Sequence, residues 1–441
     1  MRTALSSALL PLLVAPLALS LQLPLIASPS LHDAEPLQLV RATLPAGALP
    51  QLRAAGADVW HAAPCAGPSA EASTSAPLCA RIATSSCAAL ARTLAAPSLA
   101  CEVLHADVAA LLRDQQRNAT VARQHGSSPS AEFDDAYHTL EQLEARVHEL
   151  AALFPSVVQL ESIGETHEGR PIRSVRLGAA RSKSGKVKPA VVISAGSHAR
   201  EWIAPAVALH FISSLLASSA AMRAPALLEL FTIIVIPVLN PDGYAHSHSS
   251  PAARLWRKNR APNAGAPEAC KGTDIGAGFP SHFVPSSNPC ADAYAGRKPL
   301  EAAETRALAK LLDDQAQNVV GFFDLHSYGQ QMTYPYAYSC DEALPDEEDL
   351  AELAIGAVRA LRAVHRSDFG TGRGCEALYP TTGTAMDFAY EHDVKWAYSL
   401  ELRDEGEYGF LLPAEYIRPA GEETTAALRY ALAFIARKMH L

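Results

Sequence analysis

The spacing of apolar residues changes character near residue 133. Before it, short alternating runs at 37–44, 58–60 and 101–104 are mixed with helically spaced runs at 49–55, 88–94 and 108–112. That mixture predicts a small α+β module over 29–115. Residues 116–132 are polar and carry Gly and Ser, and read as an exposed linker open to proteolytic nicking. From Phe133 the pattern is that of an α/β domain extending to Leu441. Leu140, Leu143, Val147, Leu150 and Leu153 fall on one helical face, and Pro155 ends that helix. Short β-branched and aromatic runs at 157–163, 172–177, 191–195, 231–237, 319–324 and 396–402 predict strands. Longer periodic stretches at 203–220, 300–315, 350–364 and 422–438 predict helices. Strands separated by helices predict an α/β fold with a mixed, mostly parallel twisted sheet, covered by helices on both faces.

Several of these apolar runs end in unusual polar residues. The run at 191–195 is followed at once by Gly196, Ser197, His198, Arg200 and Glu201. Open α/β sheets place ligand sites just past the carboxyl ends of their strands. His198 and Glu201 stand three apart, so one turn can aim both at one metal ion. A catalytic zinc site of the His₂Glu type then needs one further His. With 16 His and 46 acids in 441 residues, chance alone places roughly 1.7 acids three positions after a His, so the pair by itself decides little. The other runs weigh more. The run Phe322-Phe323-Asp324-Leu325-His326 puts an imidazole at the end of a buried strand. Leu400-Glu401-Leu402 puts a carboxylate inside an apolar strand, which is costly without a partner. Arg403, two positions on and so on the same strand face, could be that partner. Asn240-Pro241-Asp242-Gly243 forms a turn cluster ahead of Arg254-Leu255-Trp256-Arg257-Lys258, and Tyr379 stands in a Gly/Thr loop before Asp387.

Composition narrows the setting. The chain is 49% hydrophobic, enough for a sizeable core, and its formal charge of −9 forms no basic stripe, which argues against nucleic acid as a partner. Residues 1–28 combine Arg2 with an apolar run broken by Pro11 and Pro16, and read as a signal peptide. No later run reaches the roughly 18 apolar residues of a membrane span. Eight cysteines outside CxxC spacing point to disulfides and an oxidising compartment. The expected location is therefore secreted or extracellular, with the vacuole as the alternative. Asn118-Ala119-Thr120 is a glycosylation sequon in the linker. Cys65, Cys79, Cys87 and Cys101 allow three connectivities.

Taken together, these stretches resemble the zinc carboxypeptidases of the pancreatic A/B type, the M14 peptidases, from about Phe133 to Leu441 in both order and spacing. The module at 29–115 resembles their activation prosegment. The resemblance implies a secreted metallocarboxypeptidase zymogen that acts as a monomer on peptide or protein C-termini and is inhibited intramolecularly by its own prosegment. It implies one Zn²⁺ per chain on His198, Glu201 and His326, with Asp274 behind the first His. It implies Glu401 as general base and Arg257 as oxyanion stabiliser. Arg200, Tyr328, Tyr379 and Phe410 would flank the substrate, and Met386 would floor an apolar side-chain pocket. It also implies the disulfides Cys270–Cys290 and Cys340–Cys375. One departure stands out. The family's Asn-Arg pair that grips the substrate carboxylate is replaced by Gly276-Ala277, with Lys271 and His282 as candidate substitute cations. The alternative implied is a catalytically impaired zinc-binding homologue with a cell-wall or binding role, like the inactive carboxypeptidases of fungi.

Overall fold

The computed structural model describes residues 37–45, 47–54, 57–65, 78–115, 133–220 and 225–441. The signal-peptide, linker and Asn118 assignments lie outside these residues. Among the described residues, twelve strands form two sheets. Four strands, β1 (Gln38–Leu44), β2 (Asp58–Pro64), β3 (Leu78–Thr84) and β4 (Cys101–His105), form an antiparallel sheet in the order β2-β3-β1-β4. Helices α1 (Ala48–Ala54) and α2 (Cys87–Thr93) pack on it over Val40, Ala42, Leu44, Leu49, Leu52 and Ile82. Ser86 caps α2 by accepting from the Ala89 amide at 3.1 Å.

The larger sheet has eight strands: β5 (Val158–Glu165), β6 (Pro171–Leu177), β7 (Ala190–Ala195), β8 (Thr232–Ile236), β9 (Val319–Ser327), β10 (Gln331–Tyr334), β11 (Gly370–Arg373) and β12 (Trp396–Leu402). Their order is β11-β10-β12-β9-β7-β8-β6-β5, and the central run β12-β9-β7-β8 is parallel throughout. Period-two alternation gives each central strand two buried faces. Val191, Ile193, Ile233, Val235, Phe323, Leu325, Tyr398 and Leu400 face one side. There they meet α3 (Leu140–Leu153), α4 (Ile203–Ala220), α6 (Glu347–His365) and α8 (Ile417–Lys438). Val192, Ile234, Phe322 and Ala397 face the other side, towards α5 (Ala303–Leu312) and α7 (Ala385–Glu391). Alternation puts Asp324, His326, Ser399 and Glu401 on this second side.

Strand β9 continues to Ser327, beyond the expected end at residue 324, so His326 lies within the strand. The short strands β10 and β11 and the seven-residue α7 were too brief to declare a period. Cys65–Cys79, Cys87–Cys101, Cys270–Cys290 and Cys340–Cys375 are disulfide-bonded. Among the described residues, no helix is long and apolar enough to cross a membrane.

Candidate active site

The chain turns sharply after β7. Gly196 takes φ +67°, and a Cβ there would meet Pro205 at 3.1 Å and the Val238 backbone at 3.2 Å. This turn sets His198 and Glu201 over the carboxyl end of the sheet. β9, the neighbour of β7, brings in His326, and β12 brings Glu401 into register beside it.

His198, Glu201 and His326 converge within 4.8 Å of one another, all buried. Glu201 lies between the two rings. One carboxylate oxygen is 2.7 Å from His198 Nδ1 and the other is 3.0 Å from His326 Nδ1. Burial alone would raise the Glu201 pKa, but the two imidazoles hold it well below the ordinary carboxylate range. The outer nitrogens are tied to carboxylates as well: His198 Nε2 lies 2.9 Å from Asp274 and His326 Nε2 lies 3.0 Å from Asp324. Two Nδ1 atoms and a carboxylate meeting at one point, with each far ring nitrogen fixed, is a donor set that suits zinc.

Asp274 caps the turn Ile275–Ala277 by accepting from the Gly276 amide at 3.1 Å. Arg257 donates to its other oxygen at 2.9 and 3.2 Å. Burial opposes the charge of Asp274, and Arg257 and His198 more than offset that, so it too stays ionised. Glu401 behaves in the opposite way: burial pushes its carboxyl up to about 7. It is not the partner of Arg403, which instead makes a two-pronged bond to Glu423 at 2.6 and 2.7 Å.

The residues expected to flank the substrate lie together, and the N-terminal module covers them. Arg200 is 1% exposed and donates to Asp58 of β2 at 2.7 Å and to Asp292 at 3.2 Å. Trp60 of β2 lies 5.2 Å from the Phe410 ring, which in turn lies 5.0 Å from Tyr328. Tyr379 packs against the core of the N-terminal sheet. Burial and the neighbouring Asp58 push Asp292 up to about 6. Asp58, Asp292 and Asp324 were not singled out from the sequence. For Asp324 a signal existed, since a residue two before His326 on a strand shares its face. Met386 is buried, with its sulfur 4.0 Å from the Thr333 hydroxyl.

The two candidate substitute cations are both engaged elsewhere. Lys271 pairs with Glu268. His282 lies 3.4 Å from Glu391 and stacks on Tyr338 with ring centres 3.5 Å apart. Gly276 sits so close to the ring of His198 that a Cβ there would fall 2.8 Å from its Nε2.

The chain is similar to several known proteins. Residues 143–427 match the zinc carboxypeptidase family. Carboxypeptidase A4 of Mus musculus is 36% identical over 330 residues, covering 73% of this chain and 76% of that protein. The inactive metallocarboxypeptidase ECM14 of Saccharomyces cerevisiae is 36% identical over 313 residues, covering 69% of this chain and 72% of that protein. Among solved structures, thrombin activatable fibrinolysis inhibitor superposes with a TM-score of 0.76 at 28% identity, covering 91% of this chain and 99% of that one.

Proposed function

The chain belongs to the zinc carboxypeptidase family, and on that premise we propose that it is a secreted zinc-dependent metallocarboxypeptidase that hydrolyses C-terminal peptide bonds. Residues 1–28 would act as signal peptide, 29–115 as activation prosegment, 116–132 as cleavable linker and 133–441 as the catalytic domain. His198, Glu201 and His326 would hold the zinc, with Asp274 fixing the tautomer of His198. Zinc, when bound, supplies the Lewis acidity that polarises the scissile carbonyl and acidifies a water molecule.

The observation that carries this reading is Glu401. It is a buried carboxyl raised to about 7, one strand away from His326, and so suited to accept and return a proton near neutral pH. Arg257 is anchored on Asp274 and would stabilise the developing oxyanion. Met386 supports an apolar side-chain preference. Asp58 and Trp60 support intramolecular inhibition, because they occupy the ground of Arg200, Tyr328 and Phe410.

A second reading, a catalytically impaired zinc-binding homologue, is favoured by Gly276-Ala277, which offer no side-chain donor to a substrate carboxylate. A buried carboxylate left without its partner costs on the order of 2–5 kcal/mol, or about 30- to 5,000-fold in kcat/KM. The test uses the zinc-loaded chain before and after proteolytic nicking, on a peptide with a hydrophobic C-terminal residue and on its C-terminal amide. Turnover of the acid that appears on nicking supports the enzyme. No turnover of either substrate supports the impaired homologue. Ala277→Arg, with a selective gain on the acid, would assign the impairment to the missing clamp.

A further inference from the structure

Each imidazole of the candidate metal triad is backed by a carboxylate, and the two carboxylates are not equivalent. Asp274 divides its charge. One oxygen takes His198 Nε2 at 2.9 Å and the Gly276 amide at 3.1 Å, and the other takes the Arg257 guanidinium at 2.9 and 3.2 Å. Asp324 has no such company. It is 4% exposed, and its Oδ2 lies 3.0 Å from His326 Nε2. Among the described residues, its Oδ1 is buried without a hydrogen-bond partner. Its register neighbours on β7 and β12 are Ser194 and Ser399, which carry no charge. His326 is its sole ion-pair partner among the described residues.

A buried carboxylate with one unsatisfied oxygen is costly, and among the described residues no Lys or Arg pairs with it to repay the cost. Its field falls on one imidazole, and through that ring on the point where His326 Nδ1, His198 Nδ1 and Glu201 meet. We infer that Asp324 is a positioning residue for metal binding: it fixes His326 with Nδ1 facing the metal and, as a carboxylate shared with no Lys or Arg among the described residues, raises the zinc affinity of the triad. The inference rests on the reading of His198, Glu201 and His326 as the zinc ligands. The geometry on β9 explains how one strand supplies both residues. Asp324 and His326 are two apart, project to the same face, and need no loop to bring them together.

The experiment measures zinc binding, with turnover left aside. Full-length wild type, Asp324→Asn and Asp324→Ala are stripped of metal, and zinc dissociation constants are read by competition with a chromogenic chelator. Melting is followed with and without zinc. The wild type is expected to take up one zinc. Asp324→Asn keeps the shape and an acceptor oxygen but loses the charge, and should bind about 10-fold more weakly. Asp324→Ala loses both and should bind up to about 100-fold more weakly. The melting rise on adding zinc should shrink in the same order. A merely structural role gives a different result: lower zinc-free melting with affinity within about threefold of wild type, and that overturns the inference. If Asp324→Ala does not fold, the isosteric Asn variant carries the test alone. A wild type that binds no zinc removes the triad reading itself. A wild type that binds zinc beside variants that bind equally well removes only the role of Asp324.

Discussion

Gly276 offers a sharp test of how tightly the loop in the clamp position is built. Its backbone lies outside the left-handed region, so alanine can adopt the conformation, and the question is one of space alone. An added Cβ would lie 2.8 Å from His198 Nε2, 3.2 Å from Cε1 and 3.5 Å from Asp274 Oδ1. The obstacle is a ring pinned at both nitrogens, by Glu201 at 2.7 Å and Asp274 at 2.9 Å, and it cannot swing aside as a flexible chain end would. Forcing one methyl into such a site costs about 1–3 kcal/mol. The displacement falls on a metal-facing imidazole and its carboxylate anchor, so zinc affinity should fall by about 10- to 100-fold. Gly276→Ala is measured by zinc competition and by melting of the zinc-free protein, with Gly276→Asn as the larger perturbation. Unchanged affinity and unchanged melting would refute the reasoning, because the loop would then have room. Lowered melting with full affinity would refute the part that places the strain on His198. If the expectation holds, the family's asparagine cannot simply be put back, and Ala277→Arg is the change that isolates the clamp.

Two further outcomes follow from the charged groups. Glu401→Gln should lower kcat/KM by about 10²- to 10⁴-fold with zinc content unchanged, and wild-type activity should rise with pH along an acid limb at or below about 7, as the carboxyl raised by burial loses its proton. A flat profile across that range would exclude Glu401 as the base. The raised carboxyl of Asp292 favours the closed arrangement while it is protonated. Its contribution is complete below the ordinary carboxylate pKa of about 4 and is lost as pH rises through about 6. Protease should therefore release the N-terminal module faster at pH 7.5 than at pH 5, after correction for the protease's own profile, and Asp292→Asn should remove the difference.

The sequence carried the central sheet because its strands are apolar on both faces and long enough to declare themselves, and it carried His198, Glu201, His326 and Glu401 because charges at the ends of such runs are conspicuous. It did not carry β10, β11 or α7, which have four to seven residues each. It also missed contacts made across the fold. Asp58 and Asp292 are ordinary surface acids in the sequence; the fold of the larger domain brings Asp292 to Arg200, and the N-terminal sheet brings Asp58. Arg403 shows the converse. Strand alternation offered it to Glu401, but the following helix α8 brings Glu423 to it instead.

The metal triad and the recognition loop are held by different parts of the fold, and this decides how far one can change without the other. His326 and Glu401 belong to adjacent strands in fixed register, and His198 and Glu201 to the turn after a third. The loop that should read the substrate carboxylate is held instead by another loop. Phe279 donates to the Gly383 carbonyl at 3.0 Å, and the Gly383 amide donates to Ser281 at 2.9 Å. A Cβ on Gly383 would meet the Ala277 carbonyl oxygen. Gly276 and Ala277 offer no side-chain donor, and the nearby Lys271 and His282 are engaged elsewhere. The Tyr379 loop is tied to this turn through Gly383. On the proposed function, a free substrate carboxylate meets no side-chain donor at these two positions, while the sheet and the turn after β7 still bring His198, Glu201, His326 and Glu401 together. If no clamp operates, a substrate would be held by its side chains and by the surface that Asp58 and Trp60 cover. Uncovering that surface should therefore matter more to binding than any charge at the substrate's terminus.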